Sequence, residues 1–211
     1  MYLSDHDIDD AIRAGTLIVD PPGEIGPTSV DLHLDDVGQA KVWNLALLEE
    51  RNRDHGHSPR ELRIARADYG RVSKLYLKDP PHDRDKCHTD GVFRRDMEVI
   101  IRPGGFVLWQ TKERVGTPAV DPRYICFIDG KSTRARTGLV VHLTAPNIHA
   151  GWSGKITLEI CNLGPLDIVL CENDVVAQIT VAQVSSPPFA NMSSSGSRTQ
   201  GQTSVFGMGA Q

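Results

Sequence analysis

Apolar and polar residues alternate along much of this chain, and a period of two is typical of β-strands. The alternation is clearest over Ser29 to Leu34 and over Lys155 to Ile160. From Met97 to Val184, short runs rich in β-branched and aromatic residues recur and are separated by turn residues. Strands of this length and spacing predict a mainly β domain, built as a sandwich or a barrel.

One short helix is predicted at the N-terminus. Ser4, followed three positions later by Asp7, forms an N-cap signature, and Gly15 can supply the left-handed end of the helix. Ile8 and Ala11 lie between these signals and would give the helix one apolar face. We therefore expect a single helix before the first strand.

Two segments depart from the strand pattern. Residues from about 46 to 92 are rich in charged side chains and predict an excursion from the core, with a short helix around Leu62 to Ala65 and a short strand over Leu75 to Leu77. Residues from about 185 to 211 are rich in serine and glycine, which predicts a mobile tail. The 211 residues are thus expected to form one domain with one charged insertion and a mobile C-terminal segment.

The overall composition narrows the class of partner. The formal net charge of −4 argues against nonspecific binding to nucleic acid and favours a small charged metabolite. No apolar run is long enough to span a bilayer, and the first residues lack the basic and apolar parts of a signal peptide. We expect a cytoplasmic protein with no membrane partner.

The turn from Asp129 to Arg136 is a candidate phosphate site. It follows an apolar strand and holds three cations, two hydroxyls and a glycine. Cationic side chains give charge-assisted hydrogen bonds to phosphate oxygens, and hydroxyls and backbone N–H groups add neutral ones. The turn lacks the glycine spacing of a Walker A loop, so a solvated basic turn is the alternative.

Glu159 is the second candidate for chemistry. Alternation along its strand sends the two isoleucines and Leu158 to one face, and Thr157 and Glu159 to the other. If the apolar face packs on the core, the carboxylate points into whatever lies opposite. A carboxylate in mid-strand is more often a solvent-exposed residue, and only a partner group at the same site favours a functional role.

Four motifs follow one another through the second half of the chain: Gly130-Lys131-Ser132-Thr133-x-Ala135-Arg136-x-Gly138-Leu139, His142-x-Thr144-Ala145-Pro146, Ala150-Gly151-Trp152-Ser153-Gly154-x-Ile156-Thr157-Leu158-Glu159 and Asn162-Leu163-Gly164-Pro165. Together they resemble the core of the dCTP deaminase family, which shares its fold with the trimeric dUTPases. The resemblance implies a distorted β-barrel or jelly-roll of the dUTPase-like fold, assembled as a homotrimer with active sites between subunits.

The resemblance also assigns catalytic roles. Glu159 falls on the family's catalytic glutamate, a general base that takes a proton from the water attacking C4 of cytosine and passes protons to N3 and to the departing amine. Ser132 and the backbone carbonyl of Ala145 are expected to hold that water. Arg136 is expected to support the charge balance of the site.

Substrate-binding roles follow from the same resemblance. His149 stands where the family and the dUTPases often carry aspartate, which weakens the case for an efficient dUTPase but keeps a hydrogen-bonding group near the sugar. The other implied residues are Lys131, Ser132, Thr133, Arg134, Ala135 and Arg136 at the triphosphate, Thr157, Leu158 and Glu159 at the pyrimidine or sugar, Trp152 near the deoxyribose, Gln178 and Phe189 at the nucleotide, and Arg198 and Gln202 on a C-terminal lid.

The resemblance further indicates which cofactors to expect. Zinc-dependent deaminases need H-x-E and P-C-x-x-C signatures, and this sequence has neither. Catalysis without zinc is therefore implied, with Mg²⁺ held by the triphosphate oxygens rather than by the protein. The implied substrate is dCTP, with dUTP and dTTP as candidate ligands.

Three functions remain open from the sequence. The first is hydrolytic deamination of dCTP to dUTP and ammonia, which would supply the dUTP and dUMP route to thymidylate. The second is a bifunctional enzyme that continues to dUMP, or a dUTPase. The third is a non-catalytic nucleotide-binding regulatory protein, which would not need Ser132, Arg136 and Glu159 together.

Overall fold

The computed structural model of the chain describes residues 1–63, 69–82, 84–87, 91–188 and 199–207. Short 3-10 turns lie at Val37–Gln39 and Arg84–Cys87. Among the described residues, no helix is both long and apolar enough to cross a membrane. The helices are α1 (Asp5–Arg13), α2 (Leu45–Asp54), α3 (Tyr69–Tyr76) and α4 (Ser132–Ala135). The strands are β1 (Ile18–Asp20), β2 (Ile25–Gly26), β3 (Ser29–His33), β4 (Val42–Trp43), β5 (Leu77–Lys78), β6 (Val92–Arg95), β7 (Glu98–Ile101), β8 (Phe106–Gly116), β9 (Tyr124–Gly130), β10 (Leu139–Val141), β11 (Asn147–Ile148), β12 (Ser153–Asn162), β13 (Ile168–Cys171) and β14 (Val175–Gln183).

Two antiparallel sheets enclose the core. One has the strand order β1-β8-β12-β10 and the other β11-β9-β14-β3-β2. Trp109 and Leu158 of the first sheet and Leu32 and Ile179 of the second are fully buried in one continuous apolar cluster. The prediction of a mainly β domain is confirmed, and the separate sheets are compatible with a distorted barrel although the described strands do not close one.

The N-terminal helix forms as predicted. Ser4 and Asp7 form a capping box at the start of α1. The Ser4 side chain accepts from the backbone N–H of Asp7, and the Asp7 side chain accepts from the backbone N–H of Ser4. Ile8 and Ala11 are buried against the core. Gly15 adopts a φ of 69°, the left-handed conformation that ends the helix.

The charged excursion is more ordered than its composition predicts. Helix α2 occupies residues 45–54, begins where the Asn44 side chain accepts from the backbone N–H of Leu47, and buries Leu48. The predicted strand over Leu75 to Leu77 is wrong for Leu75 and Tyr76, which belong to α3, whereas Leu77 begins the short β5. The predicted helix around Leu62 to Ala65 lies largely outside the described residues.

The long pairing of β8 with β12 sets the position of the candidate site. In this register Thr157 lies opposite Gln110 and Glu159 opposite Leu108. The register shifts between Lys155 and Thr157. Such an irregularity bends a strand and changes the direction of its side chains.

Candidate active site

Strand β12 presents Glu159 away from the core, as its alternation predicts. Leu158 and Ile160 are fully buried, whereas Thr157 and Glu159 are only partly covered. The Glu159 side chain is 34% exposed to solvent, so its carboxylate is accessible from the open face of the sheet. The Leu158 side chain is fully buried, so its expected contact with the pyrimidine or sugar, which stays a prediction, would be made through the backbone.

The partner of Glu159 is His142. Its Nδ1 lies 3.0 Å from the Glu159 carboxylate, as an ion-pair contact rather than an aligned hydrogen bond, and its Nε2 lies 2.7 Å from the carbonyl oxygen of Ala145. The backbone N–H of His142 also donates to the carbonyl of Glu159 at 2.9 Å. His142 therefore ties the catalytic candidate to the Ala145 carbonyl.

The protonation of His142 follows from these contacts. The Ala145 carbonyl can only accept, so Nε2 carries a proton, and a neutral ring would turn the lone pair of Nδ1 toward a carboxylate. Burial of the ring opposes protonation, but Glu159 and the Ala145 carbonyl outweigh it and raise the pKa of His142 above its ordinary value. These contacts therefore favour the protonated ring over the neutral one.

A first cavity of about 250 Å³ lies beside this pair, between β12 and the C-terminal segment, which we define as residues 199–207. Trp152 donates from Nε1 to the hydroxyl of Thr199 at 3.1 Å. The Gln202 side-chain amide donates to the hydroxyl of Thr157, and the Gln202 backbone carbonyl accepts from the N–H of Lys155. The cavity is lined by His142, Ala145, Asn147, Ile148, His149, Trp152, Lys155, Ile156, Thr157, Thr199 and Gln202.

A second cavity of about 370 Å³ contains Glu159 itself. It shares Thr157, Thr199 and Gln202 with the first cavity, so the two spaces adjoin. Its remaining walls are largely apolar and aromatic, which lowers the local polarity around the carboxylate. These walls are Trp43, Tyr69, Phe106 and Leu108.

An ion pair fixes one edge of the first cavity. Lys155 Nζ lies 2.6 Å from the carboxylate of Asp35, which also accepts from the side-chain amide of Gln110. Burial alone would raise the pKa of Asp35, but the hydrogen bonds from Lys155 and Gln110 lower it. Gln110 donates in addition to the carbonyl of Thr203, so the network also holds the C-terminal segment.

The candidate phosphate turn lies elsewhere in the single chain. Lys131 Nζ contacts the Asp31 carboxylate at 2.6 Å and the Gln178 side-chain oxygen at 3.4 Å. Arg134 lies 4.0 Å from Asp174. None of the turn residues from 131 to 136 lines either of the two cavities, and all except Lys131, which is half-buried, are exposed: Ser132, Thr133, Arg134, Ala135 and Arg136.

The predicted site residues thus fall into groups. The cavities bring together Ala145, His149, Trp152, Thr157, Glu159 and Gln202. The turn and Gln178 form a separate cluster on the other main sheet. Phe189 and Arg198 lie outside the described residues.

Three polar residues, His142, Tyr69 and Lys155, are among the cavity residues that carried no role in the sequence interpretation. His142 had a signal, since it stands in one of the four motifs three positions before Ala145. Tyr69 comes from the charged excursion, and nothing in its local pattern indicates contact with a strand that lies 90 residues later. Tertiary packing alone reveals it.

Comparisons with known proteins agree with this architecture. A family model described as dCTP deaminase-like matches residues 2–184. The dCTP deaminase of Natronomonas pharaonis is 32% identical over 96% of this chain and 91% of its own length. The dUMP-forming dCTP deaminase of Corynebacterium jeikeium is also 32% identical, over 96% of this chain and 93% of its own.

Among solved structures, the 2′-deoxycytidine 5′-triphosphate deaminase of Agrobacterium tumefaciens has a similar fold, with a TM-score of 0.54 and 16% identity. The similarity covers 85% of this chain and 47% of that longer protein. The fold is therefore similar to that of a dCTP deaminase, as the resemblance implied. The motifs, the fold and the matched length agree, and the chain belongs to the dCTP deaminase-like family.

Proposed function

We propose that this protein catalyses the hydrolytic deamination of dCTP to dUTP and ammonia, in the cytoplasm, where deoxynucleoside triphosphates are used. The observation that carries the proposal is the contact of Glu159 with His142 at the junction of two adjoining cavities. A carboxylate held in a partly apolar pocket beside a proton-carrying ring suits general acid–base work. The named activities of the relatives support the same reaction.

The reaction needs one water molecule and a group that moves its protons. Glu159 accepts a proton as the water oxygen forms a bond to C4 of the cytosine ring, and N3 is protonated as the C4–N3 double bond becomes single. A second proton reaches the amine, which leaves as ammonia when the C4–N4 bond breaks. Loss of the remaining hydroxyl proton then gives the C4 carbonyl of dUTP, so one water is consumed per ammonia released.

We place the water between Glu159, the carbonyl of Ala145 and the hydroxyl of Ser132. The first two groups meet at His142 within one chain, whereas Ser132 belongs to the exposed turn. A second copy of the chain that laid this turn over the Glu159 cavity would complete the site. This division supports a homotrimer in which each active site uses residues of two subunits.

The phosphates would then meet the cations of the turn. Lys131, Arg134 and Arg136 fit the charge of a triphosphate, and Mg²⁺ would enter bound to the nucleotide as part of the substrate. We also propose that the reaction is zinc-independent, because the sequence carries neither zinc-deaminase signature. Glu159 would activate the water directly.

A dUMP-forming activity is the second candidate. The relative from Corynebacterium jeikeium is named for this activity, and His149 lines the first cavity beside the groups that would hold the sugar. An imidazole can act as a base near neutral pH, so it can replace a carboxylate in activating water at the phosphate. Release of pyrophosphate distinguishes this reaction from simple deamination.

The two activities separate in one experiment. The purified protein is incubated with dCTP and, in parallel, with dUTP, while ammonia and pyrophosphate are measured independently. Ammonia without pyrophosphate supports simple deamination, and both products from dCTP support the dUMP-forming enzyme. Pyrophosphate from dUTP without ammonia from dCTP would indicate a dUTPase, and neither product with tight nucleotide binding would indicate a regulatory protein.

A further inference from the structure

Helix α3 of the charged excursion is hydrogen-bonded to the C-terminal segment. The Tyr69 hydroxyl donates to the backbone carbonyl of Val205 at 2.7 Å, and the Ser73 hydroxyl lies 3.2 Å from the carbonyl of Phe206. Ser73 and Val205 are both fully buried. Two adjacent carbonyls of an otherwise irregular segment are therefore satisfied by one face of a helix whose residues lie more than 130 positions earlier.

The other end of the same segment is bound to strand β12. The backbone N–H of Gly201 donates to the carbonyl of Ser153 at 2.8 Å, and Lys155 N–H donates to the carbonyl of Gln202 at 2.8 Å. Residues 199–202 close the two cavities through Thr199 and Gln202. The segment is thus held at both ends, by the catalytic strand on one side and by α3 on the other.

A third contact comes from Lys41, which lies just before the excursion. Lys41 Nζ lies 5.8 Å from the ring centroid of Phe206 and pairs with the carboxylate of Asp79, a residue of the excursion. A cation at this distance from an aromatic face is attracted to the ring. The excursion therefore contacts the segment directly through α3, and Asp79 positions the lysine that contacts Phe206.

Tyr69 also forms part of the wall of the second cavity, together with Glu159. Its burial and the nearby charge of Glu159 raise the pKa of the phenol to about 12. The hydroxyl therefore keeps its proton across the neutral range and remains a donor to Val205. In this geometry Tyr69 holds the C-terminal segment in place and does not transfer a proton to or from the substrate.

We propose that Tyr69 and Ser73 are positioning residues that hold the C-terminal segment over the Glu159 cavity, so that the charged excursion sets the affinity of the site for its nucleotide. The inference rests on the proposed function only in naming the nucleotide as the ligand. Without the two hydroxyls, the segment would leave its place more often, and Gln202 and Thr199 would close the cavities for a smaller fraction of the time.

The test uses Tyr69→Phe, Ser73→Ala and the double variant, each in the full-length protein. Lys74→Ala is the matched control, because Lys74 is an exposed residue of the same helix. Hydrogen exchange of the peptide covering residues 199–207 is measured without nucleotide, with the peptide covering β14 as an internal reference for folding, because β14 pairs with β3 and β9. Steady-state kinetics with dCTP are measured on the same samples.

In the double variant we expect exchange of residues 199–207 to rise about tenfold, because each hydroxyl contributes one net hydrogen bond, while exchange in β14 is unchanged. The KM for dCTP should rise about fivefold with kcat within about twofold, since the lost contacts hold the ligand site and do not touch the reacting atoms. The single variants should show smaller effects of the same kind.

Unchanged exchange of residues 199–207 in the double variant would overturn the proposal, as would a fall in kcat at constant KM. Faster exchange in β14 together with residues 199–207 would also overturn it, because the hydroxyls would then support the whole fold rather than the segment. The exchange result does not depend on turnover. Faster local exchange in a protein that forms no ammonia from dCTP would uphold the positioning role while refuting the proposed function.

Discussion

His142 connects the Glu159 carboxylate to the Ala145 carbonyl, with Nδ1 3.0 Å from the first and Nε2 2.7 Å from the second. Its backbone adopts a φ of 60°, which turns the chain out of β10 and brings the imidazole back over β12. The His142 side chain is only 8% exposed to solvent. The position of the proposed general base therefore depends on its contact with a buried ring that the strand pattern alone does not reveal.

The charge state of His142 predicts a pH-dependent contribution to stability. Its folded-state pKa is raised above the unfolded value of 6.5, so the native state binds more protons, and the stabilisation is complete below about pH 6.5 and is lost as the pH rises through the folded pKa. His142→Asn removes the ring and tolerates the left-handed backbone. Urea unfolding should show that the variant loses more free energy of unfolding at about pH 6 than at about pH 9.

His6→Asn is the control for that comparison. His6 also faces a carboxylate, that of Asp10 at 3.3 Å, but its side chain is 83% exposed. Exposed pairs contribute little, so the control should show a difference of less than about 0.5 kcal/mol at either pH. A loss for His142→Asn that is equal at both pH values, or larger at the higher one, would contradict a protonated His142.

Replacing the proposed base should separate binding from turnover. In Glu159→Gln the side chain keeps its size but cannot accept the proton of water, so we expect deamination of dCTP to fall at least about 100-fold while nucleotide binding persists. Glu98→Gln is the matched control, since Glu98 lies on β7 and pairs with Arg95 at the surface. Ammonia release and calorimetric titration with dCTP provide the two measurements. Retention of more than about a tenth of the activity would remove Glu159 from its assigned role.

The close approach of the C-terminal segment to β12 requires a glycine at position 154. A Cβ there would lie 2.9 Å from the backbone nitrogen of Gln202 and 2.9 Å from the Trp152 ring. In a Glu159→Gln background, where turnover is blocked, Gly154→Ala should weaken dCTP binding about tenfold, which is about 1.4 kcal/mol. Titration calorimetry measures the change.

Gly26→Ala in the same Glu159→Gln background is the control. Gly26 is also a strand glycine, but its added Cβ would make an ordinary contact at 3.5 Å with Ser29. Its dCTP affinity should stay within about twofold of the parent. Equal affinities for Gly154→Ala and Gly26→Ala would show that the packing of Gln202 on β12 does not shape the nucleotide site.

The parts of the fold that follow from local rules were predictable. A half-buried strand has a period of two, so the sequence of β12 indicated which face carries Glu159 and which carries Leu158. A short apolar run such as Leu75 to Leu77 fits a helix or a strand equally well, and tertiary contacts through Tyr69 and Ser73 decide for the helix. The contact of His142 with Glu159 depends on the left-handed backbone conformation of His142, which the pattern of apolar and polar residues does not indicate.

The separation of Ser132 from the Glu159 cavity within one chain gives the most direct test of the proposed shared active site. Ser132→Ala and Glu159→Gln should each be nearly inactive when assembled alone. When the two variants are unfolded together in equal amounts and refolded, a site is intact where a Ser132→Ala subunit supplies Glu159 and its neighbour supplies Ser132. Random assembly makes about one site in four intact, so ammonia release from dCTP should recover to about a quarter of the wild-type rate. Each variant refolded alone serves as the control, and a mixture no more active than these would mean that both residues act within one chain.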